Sequence, residues 1–148
     1  MAMIATAAAV SQRRYADLGL RFAARLVDDV IVGGLVYTII FLGTATRMPT
    51  VEVLALLVGL LAGIGYWVAF PALTSATPGK AALRLRIIGP DDARRGIGWG
   101  IAFKRWLGTY ASAIPLCIGY IAIAIDPERQ GWHDKIAGTH VLNENSRR

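Results

Sequence analysis

RFAARLVDDVIVGGLVYTIIFLGTAT, residues 21–46, is the stretch that decides the fold, because it sets two aspartates at one end of a segment that otherwise reads as membrane-spanning. Asp28 follows Arg21 by seven residues and Arg25 by three, and Asp29 follows Arg25 by four, so on a helix the four charges share one side. At ~1.5 Å of rise per residue, Asp28 lies about 10 Å deeper than Arg21. Between Val30 and Thr46 no formal charge occurs, so the acidic pair stands where the aqueous interface gives way to hydrocarbon. An ionisable side chain in a membrane helix costs about 2.5–3.5 kcal/mol at the helix centre and faces a bundle interior or a wet cavity. Two readings follow. In one, Arg21 and Arg25 reach back to the interface and Asp28 and Asp29 neutralise them, a structural ion-pair set that locks the helix in position. In the other, Asp28 binds a proton or a small cation.

Composition points the same way. The 148 residues are one domain's worth, yet 55% of them are hydrophobic and the mean hydropathy is +0.47, too apolar for an ordinary soluble domain. The excess has to face lipid, which makes the bilayer the first expected partner. A net charge of +6 raises nucleic acid as a second, but the cations cluster beside apolar segments and no nucleic-acid-binding motif is present, so none is expected. Cys117 is the one cysteine, which excludes an intrachain disulfide and reads as a small packing residue. In residues 1–17 the apolar part precedes Arg13 and Arg14, the reverse of a secretory signal, so a flexible cytoplasmic arm is expected there.

The first span is expected over residues 26–45 and the second over 51–73, joined by TRMPTVE, whose shortness implies an antiparallel hairpin with Pro49 as a break. Gly33 and Gly34 permit close helix approach in the first span. Gly59, Gly63 and Gly65 form a small-residue seam in the second. Next comes TSATPGKAALRLRIIGPDDARRG, in which Lys80, Arg84, Arg86, Arg94 and Arg95 outnumber Asp91 and Asp92, so this stretch and the amino terminus are expected in the cytoplasm. Leu83, Leu85 and Ile87 alternate with Arg84 and Arg86, a strand pattern closed by the turn at residues 89–92, and the expected mate is the run at 139–142. TPGK lacks the first glycine and the following serine or threonine of a phosphate loop, and Gly96, Gly98 and Gly100 lack the context of a dinucleotide fingerprint, so no cofactor is expected.

From Ile97 the pattern is helical, with Lys104 and Arg105 as an interfacial basic pair before the charge-free interval 106–125. That interval is just long enough to span, but Pro115 in its middle breaks the helix. A kinked third span competes with a hairpin that dips in and returns, and pairing of the two strands favours the return. The expected fold class is therefore an all-α integral membrane protein. It has two transmembrane helices, a Pro-broken third apolar segment, either re-entrant hairpin or third span, and a small cytoplasmic two-stranded β element. The membrane domain covers residues 18–142 and a tail follows at 143–148.

DPERQGWHDKIAGTHV, residues 126–141, carries the remaining chemistry. Pro127 initiates a turn after Asp126, and His133 stands next to Asp134 and Lys135. One reading is a proton relay, with Asp126 or Asp134 facing the arginines of the first helix or of the strand; the other is a structural clasp tying the strand pair to the helix ends. His133 and His140 are the only histidines and no cysteine stands near, so no metal site is expected, and no nucleophile and base arrangement suggests an enzyme.

Arg21 with Asp28, TPGK followed by LRLRII, and DPERQGWHDKIAGTHV together resemble the RDD family of small bacterial membrane proteins, named for one arginine and two aspartates. The resemblance covers residues 18–142, and the last motif is the specific one. It implies that the arginine is Arg21, the first aspartate Asp28, and the second Asp134 or Asp126; Arg25 and Asp29 are extra charges. It also implies a multi-pass protein of the bacterial inner membrane, in a family whose molecular function is largely unassigned and for which transport of a small cation or proton, antiporter-like in some members, has been proposed. The alternative is an accessory or assembly subunit docking in a larger membrane complex. Three short apolar segments enclose little volume, so a homo-oligomer or larger complex is expected either way. Near mid-membrane the first two spans offer only Tyr37, Thr38 and Tyr66 as polar groups, which counts against a self-contained path.

Overall fold

The computed structural model describes residues 15–90, 96–113 and 118–147. Two long helices dominate, α1 at Leu18–Ala45 and α2 at Pro49–Thr74. Asp17 starts α1 by accepting a hydrogen bond from the Leu20 N–H at 2.8 Å. Pro49 starts α2 at its first helical position, where a missing N–H leaves nothing unsatisfied, so this proline opens a helix as well as breaking the connection before it. At ~1.5 Å per residue the helices are about 42 and 39 Å long, and each exceeds a hydrocarbon core of about 30 Å. Both are apolar enough to cross a membrane, and their outward faces are bare, with Val30 76% and Leu61 67% exposed. Helix α1 reaches eight residues further back than the span expected from residue 26, because Leu18–Arg25 continues the same buried stripe through Arg21 and Ala24.

The two helices cross where Gly43 of α1 meets Ala55 of α2, and Gly59 and Gly63 pack on Val36 and Ile40. Gly33 and Gly34, expected to bring helices together, meet nothing within 4 Å among the described residues. The reason is angular: they lie about 60° and 160° around the helix from Val36, which packs on Gly59 and Gly63.

At the polar end of the hairpin a short helix α3, Pro78–Ala82, leads into β1, Leu85–Ile88. It pairs antiparallel with β2, His140–Asn143, in the register Ile87 to Val141. The first strand begins two residues later than the alternation suggests, because Leu83 caps α3 and Arg84 turns through a positive φ of 53°. Asn143, assigned by sequence to the tail, closes β2 opposite Leu85, and the Glu144 N–H bonds the Arg84 carbonyl at 2.9 Å. The Ala16 N–H reaches the Val141 carbonyl at 2.9 Å, and Tyr15 bridges to Leu142. Leu85, Ile87 and Val141 form the core with Ala16, Ala24, Val68, Ala72, Ile97 and Ala102.

Three further α-helices follow among the described residues, α4 at Trp99–Ala113, α5 at Ile118–Ile125 and α6 at Trp132–Ala137. Pro115, Cys117 and the acidic and basic residues 91–95 lie outside the described residues. Helices α4 and α5 are about 22 and 12 Å long, each short of the hydrocarbon core. They also do not continue one another. A Cβ on Gly119 would fall 2.6 Å from the Ser112 Cα, whereas residues seven apart on a straight helix are separated by about 10 Å.

Gly43→Val is expected to cost about 1–3 kcal/mol by overpacking against Ala55, and Gly34→Val to be near neutral, as read by thermal unfolding in mild detergent. Equal losses at the two positions would contradict this helix crossing.

Candidate functional site

Among the described residues two carboxylates are completely buried, Asp28 in α1 and Asp134 in α6, and each has both oxygens engaged. Asp134 accepts from Arg21 Nη1 at 2.5 Å and from the Gly131 N–H at 3.1 Å on one oxygen, and from Arg105 Nη1 on the other. Arg105 also bonds the Thr139 hydroxyl, while Arg21 donates to the carbonyls of Ala16 at 3.0 Å and Arg129 at 2.7 Å. Burial pushes the Asp134 carboxyl up, but the Arg105 and Arg21 guanidiniums outweigh it and hold it below the usual carboxylate range.

Asp28 is satisfied differently. It accepts from the Tyr66 hydroxyl at 2.7 Å and the Gly79 N–H at 2.7 Å on one oxygen, and from the Thr77 hydroxyl on the other. All three donors are neutral. Gly79 has no alternative here, because a Cβ would sit 2.8 Å from the Asp28 carboxyl carbon and collide with the Ala24 carbonyl. The TPGK turn is thus the seat of an aspartate rather than loop punctuation.

The four charges of α1 do not form one cluster. Relative to Arg21, Asp28 lies only about 20° around the helix but Asp29 about 80°, and the pair Arg25–Asp29 turns outward, 2.9 Å apart with side chains 40% and 47% exposed. Arg25 stacks on Trp67, 3.9 Å above the ring centre. The expectation that Arg21 and Arg25 neutralise Asp28 is therefore corrected: Arg21 reaches across the fold to Asp134, and hydroxyls and an N–H answer Asp28. Asp126 stands apart, bound by Lys135 and by the N–H groups of Glu128 and Gln130, and the Lys135 hydrogen bond holds its carboxyl low. Of the two candidate aspartates it is Asp134, and not Asp126, that meets Arg21.

His133 is buried beside Asp134, with Nδ1 3.2 Å from the Ser112 hydroxyl and its own N–H donating to that oxygen at 3.1 Å. Burial, aided by Arg105, Arg21 and Lys80 against Asp134, pushes its pKa down to about 3. The ring therefore stays neutral at physiological pH and packs under Tyr120. Among the described residues no group of three or more His, Cys, Asp or Glu side chains is placed to hold a metal. Sequence reasoning missed Arg105, taken as an interfacial cation, and missed Tyr66, Thr77 and Gly79 as partners of Asp28. Their signal was present in the hydroxyl at mid-helix in α2 and in the glycine that follows Pro78.

The sequence model described as the RDD family matches residues 15–138. An uncharacterized membrane protein, YteJ, of Bacillus subtilis (strain 168) is 27% identical over 137 residues, covering 88% of this chain and 82% of that protein. No solved structure matches the chain.

Arg21→Ala leaves Asp134 buried with half its cationic support and is expected to cost about 3–5 kcal/mol, against about 1 kcal/mol or less for Arg25→Ala at the exposed pair, measured by unfolding in detergent. Comparable losses would remove the distinction drawn between the two arginines.

His133 also predicts a pH dependence. The unfolded ring binds its proton near 6.5 and the folded one only near 3, so the unfolded chain holds more protons in between and stability falls as pH drops through that window. His133→Gln should flatten the slope of melting temperature between pH 7 and pH 5; an unchanged slope would assign it to other groups.

Proposed function

The chain belongs to the RDD family, and we propose that this membrane protein acts as an accessory subunit docked in a larger membrane assembly, its buried charges fastening its own fold. The observation that carries this reading is the engagement of both oxygens of Asp28 and of Asp134 by fixed donors of the same chain. A transport carboxylate has to change occupancy during a cycle. Releasing either aspartate would instead open a clasp between helices distant in sequence. The neutral His133 supports the same reading, since a relay needs a group that titrates in the working range.

In this proposal α1 and α2 cross the bacterial inner membrane, with the 46–48 connection outside and the sheet, the amino terminus and the carboxyl terminus in the cytoplasm. The cations flanking the sheet support that orientation through the positive-inside rule. Helices α4 and α5 enter and return on the cytoplasmic side. Their lengths, the packing of Gly119 on Ser112, and the pairing of β1 with β2 on either side of them support the return.

Reconstitution into liposomes with a pH-sensitive dye and imposed sodium or potassium gradients tests the function. The expected result is no gradient-driven proton movement from the chain alone, together with co-purification of a larger complex from native membranes in mild detergent. Robust proton flux that vanishes in a folded Asp28→Asn variant would establish antiport instead. Orientation is tested by labelling a cysteine placed at Ser146 in a Cys117→Ser background, where reaction from the outer face of intact cells would overturn the cytoplasmic carboxyl terminus.

A further inference from the structure

A cleft of about 790 Å³ opens between the first turns of α1, the end of α2, and helices α4 and α5. Among the described residues four cations reach its wall, Arg21, Arg25, Lys80 and Arg105, and no carboxylate does. Three of these cations already have acidic partners behind the wall, Arg21 and Arg105 in Asp134 and Arg25 in Asp29. Lys80 differs: among the described residues no carboxylate lies within ion-pair distance of it. Its Nζ stands 3.4 Å from the Thr77 hydroxyl and 5.9 Å from the Trp67 ring centre. Burial and then Arg105, against a pull from Asp28, push its pKa down to about 8.

The remainder of the wall is mostly apolar, and Phe22, Tyr110 and Ile121 at the lining are 60%, 53% and 50% exposed. Phe22 lies on the first span near the aspartate pair, and Tyr110 and Ile121 lie on the two short helices that in the proposed topology enter the membrane from the cytoplasmic side. A soluble anion would find cations here but waste the apolar wall. A zwitterionic headgroup would bring its ammonium to a wall with four cations and no acid. The volume suits a headgroup and the upper part of its chains.

We propose that this cleft holds an anionic phospholipid drawn from the surrounding bilayer, its phosphate at Lys80 beside Arg25 and its acyl chains running out past Phe22, Tyr110 and Ile121. The site goes beyond the accessory role and does not depend on it, since it needs only the membrane setting. The phosphate supplies Lys80 with the direct ion pair it does not make among the described residues, and the acyl chains cover the apolar lining.

The test uses the full chain, delipidated in mild detergent, with short-chain phosphatidylglycerol, short-chain phosphatidylcholine and inorganic phosphate as probes, read by native mass spectrometry and melting temperature. Phosphatidylglycerol is expected to bind saturably and raise the melting temperature, while the other two do not. Lys80→Gln should weaken that binding about tenfold or more, the scale of a lost charge-assisted hydrogen bond, and Lys80→Arg should retain most of it. Ala113→Trp, which fills the cleft from α4, should abolish binding at an unchanged ligand-free melting temperature, and it decides the matter should Lys80→Gln fail to fold. No binding of phosphatidylglycerol, an equal effect of phosphatidylcholine or inorganic phosphate, or binding undiminished in the folded variants would overturn the proposal.

Discussion

A carboxylate taken fully out of water is tolerated only where hydrogen-bond donors or cations replace its hydration, and Asp134 imposes that requirement on most of this fold. Its partners come from three places: Arg21 in α1, Arg105 in α4 and the Gly131 N–H at the start of its own helix. Satisfying all three fixes α4 and α6 against the first turns of α1. The same Arg21 guanidinium holds the Ala16 carbonyl, and Ala16 in turn bonds the edge of β2. One guanidinium therefore ties the hairpin, the sheet and the loop at Arg129 into a single unit.

Asp28 fastens the other side with neutral donors. In lipid, apolar side chains gain nothing by leaving the solvent for one another, so helix pairing relies on close van der Waals packing and on polar contacts. Toward the connecting turn α1 and α2 use packing, with Gly43, Gly59 and Gly63 letting backbones approach. Toward the polar end they use the Tyr66 hydroxyl on Asp28, which also draws in Thr77 and Gly79. The turn at residues 77–80 is thereby docked on α1, and β1 follows from it directly.

This division of labour leaves charge over. Asp134 is shared by two arginines and Asp29 answers Arg25, whereas Asp28 is bound by hydroxyls and an N–H and forms no direct ion pair. Lys80, placed by the same docked turn, makes no direct ion pair among the described residues and faces a cleft whose described lining holds no acidic residue. The cationic character of the cleft is thus a consequence of how the two buried carboxylates are satisfied.

Sequence alone determined the features that depend on neighbours along the chain. Two long apolar stretches, the first entered through an aspartate pair and the second free of charge, marked α1 and α2, the short link between them implied the hairpin, and the alternation around Leu85 marked a strand whose mate could be named. A seven-residue separation put Arg21 and Asp28 on one helix face. Which group would stand opposite that face was decided only by tertiary structure, because helical periodicity gives a side chain's direction and says nothing of what it meets. Arg21 passes over nearby Asp28 and Asp29 for Asp134, 113 residues away, since the two arginines and the Gly131 N–H converge only where α1, α4 and α6 meet. Asp126, also a carboxylate and only eight residues earlier, opens the turn at residues 126–129 and pairs with Lys135 instead. Gly33 and Gly34 show the same limit from the other side, being small enough for a helix contact but turned away from the helix they were expected to meet.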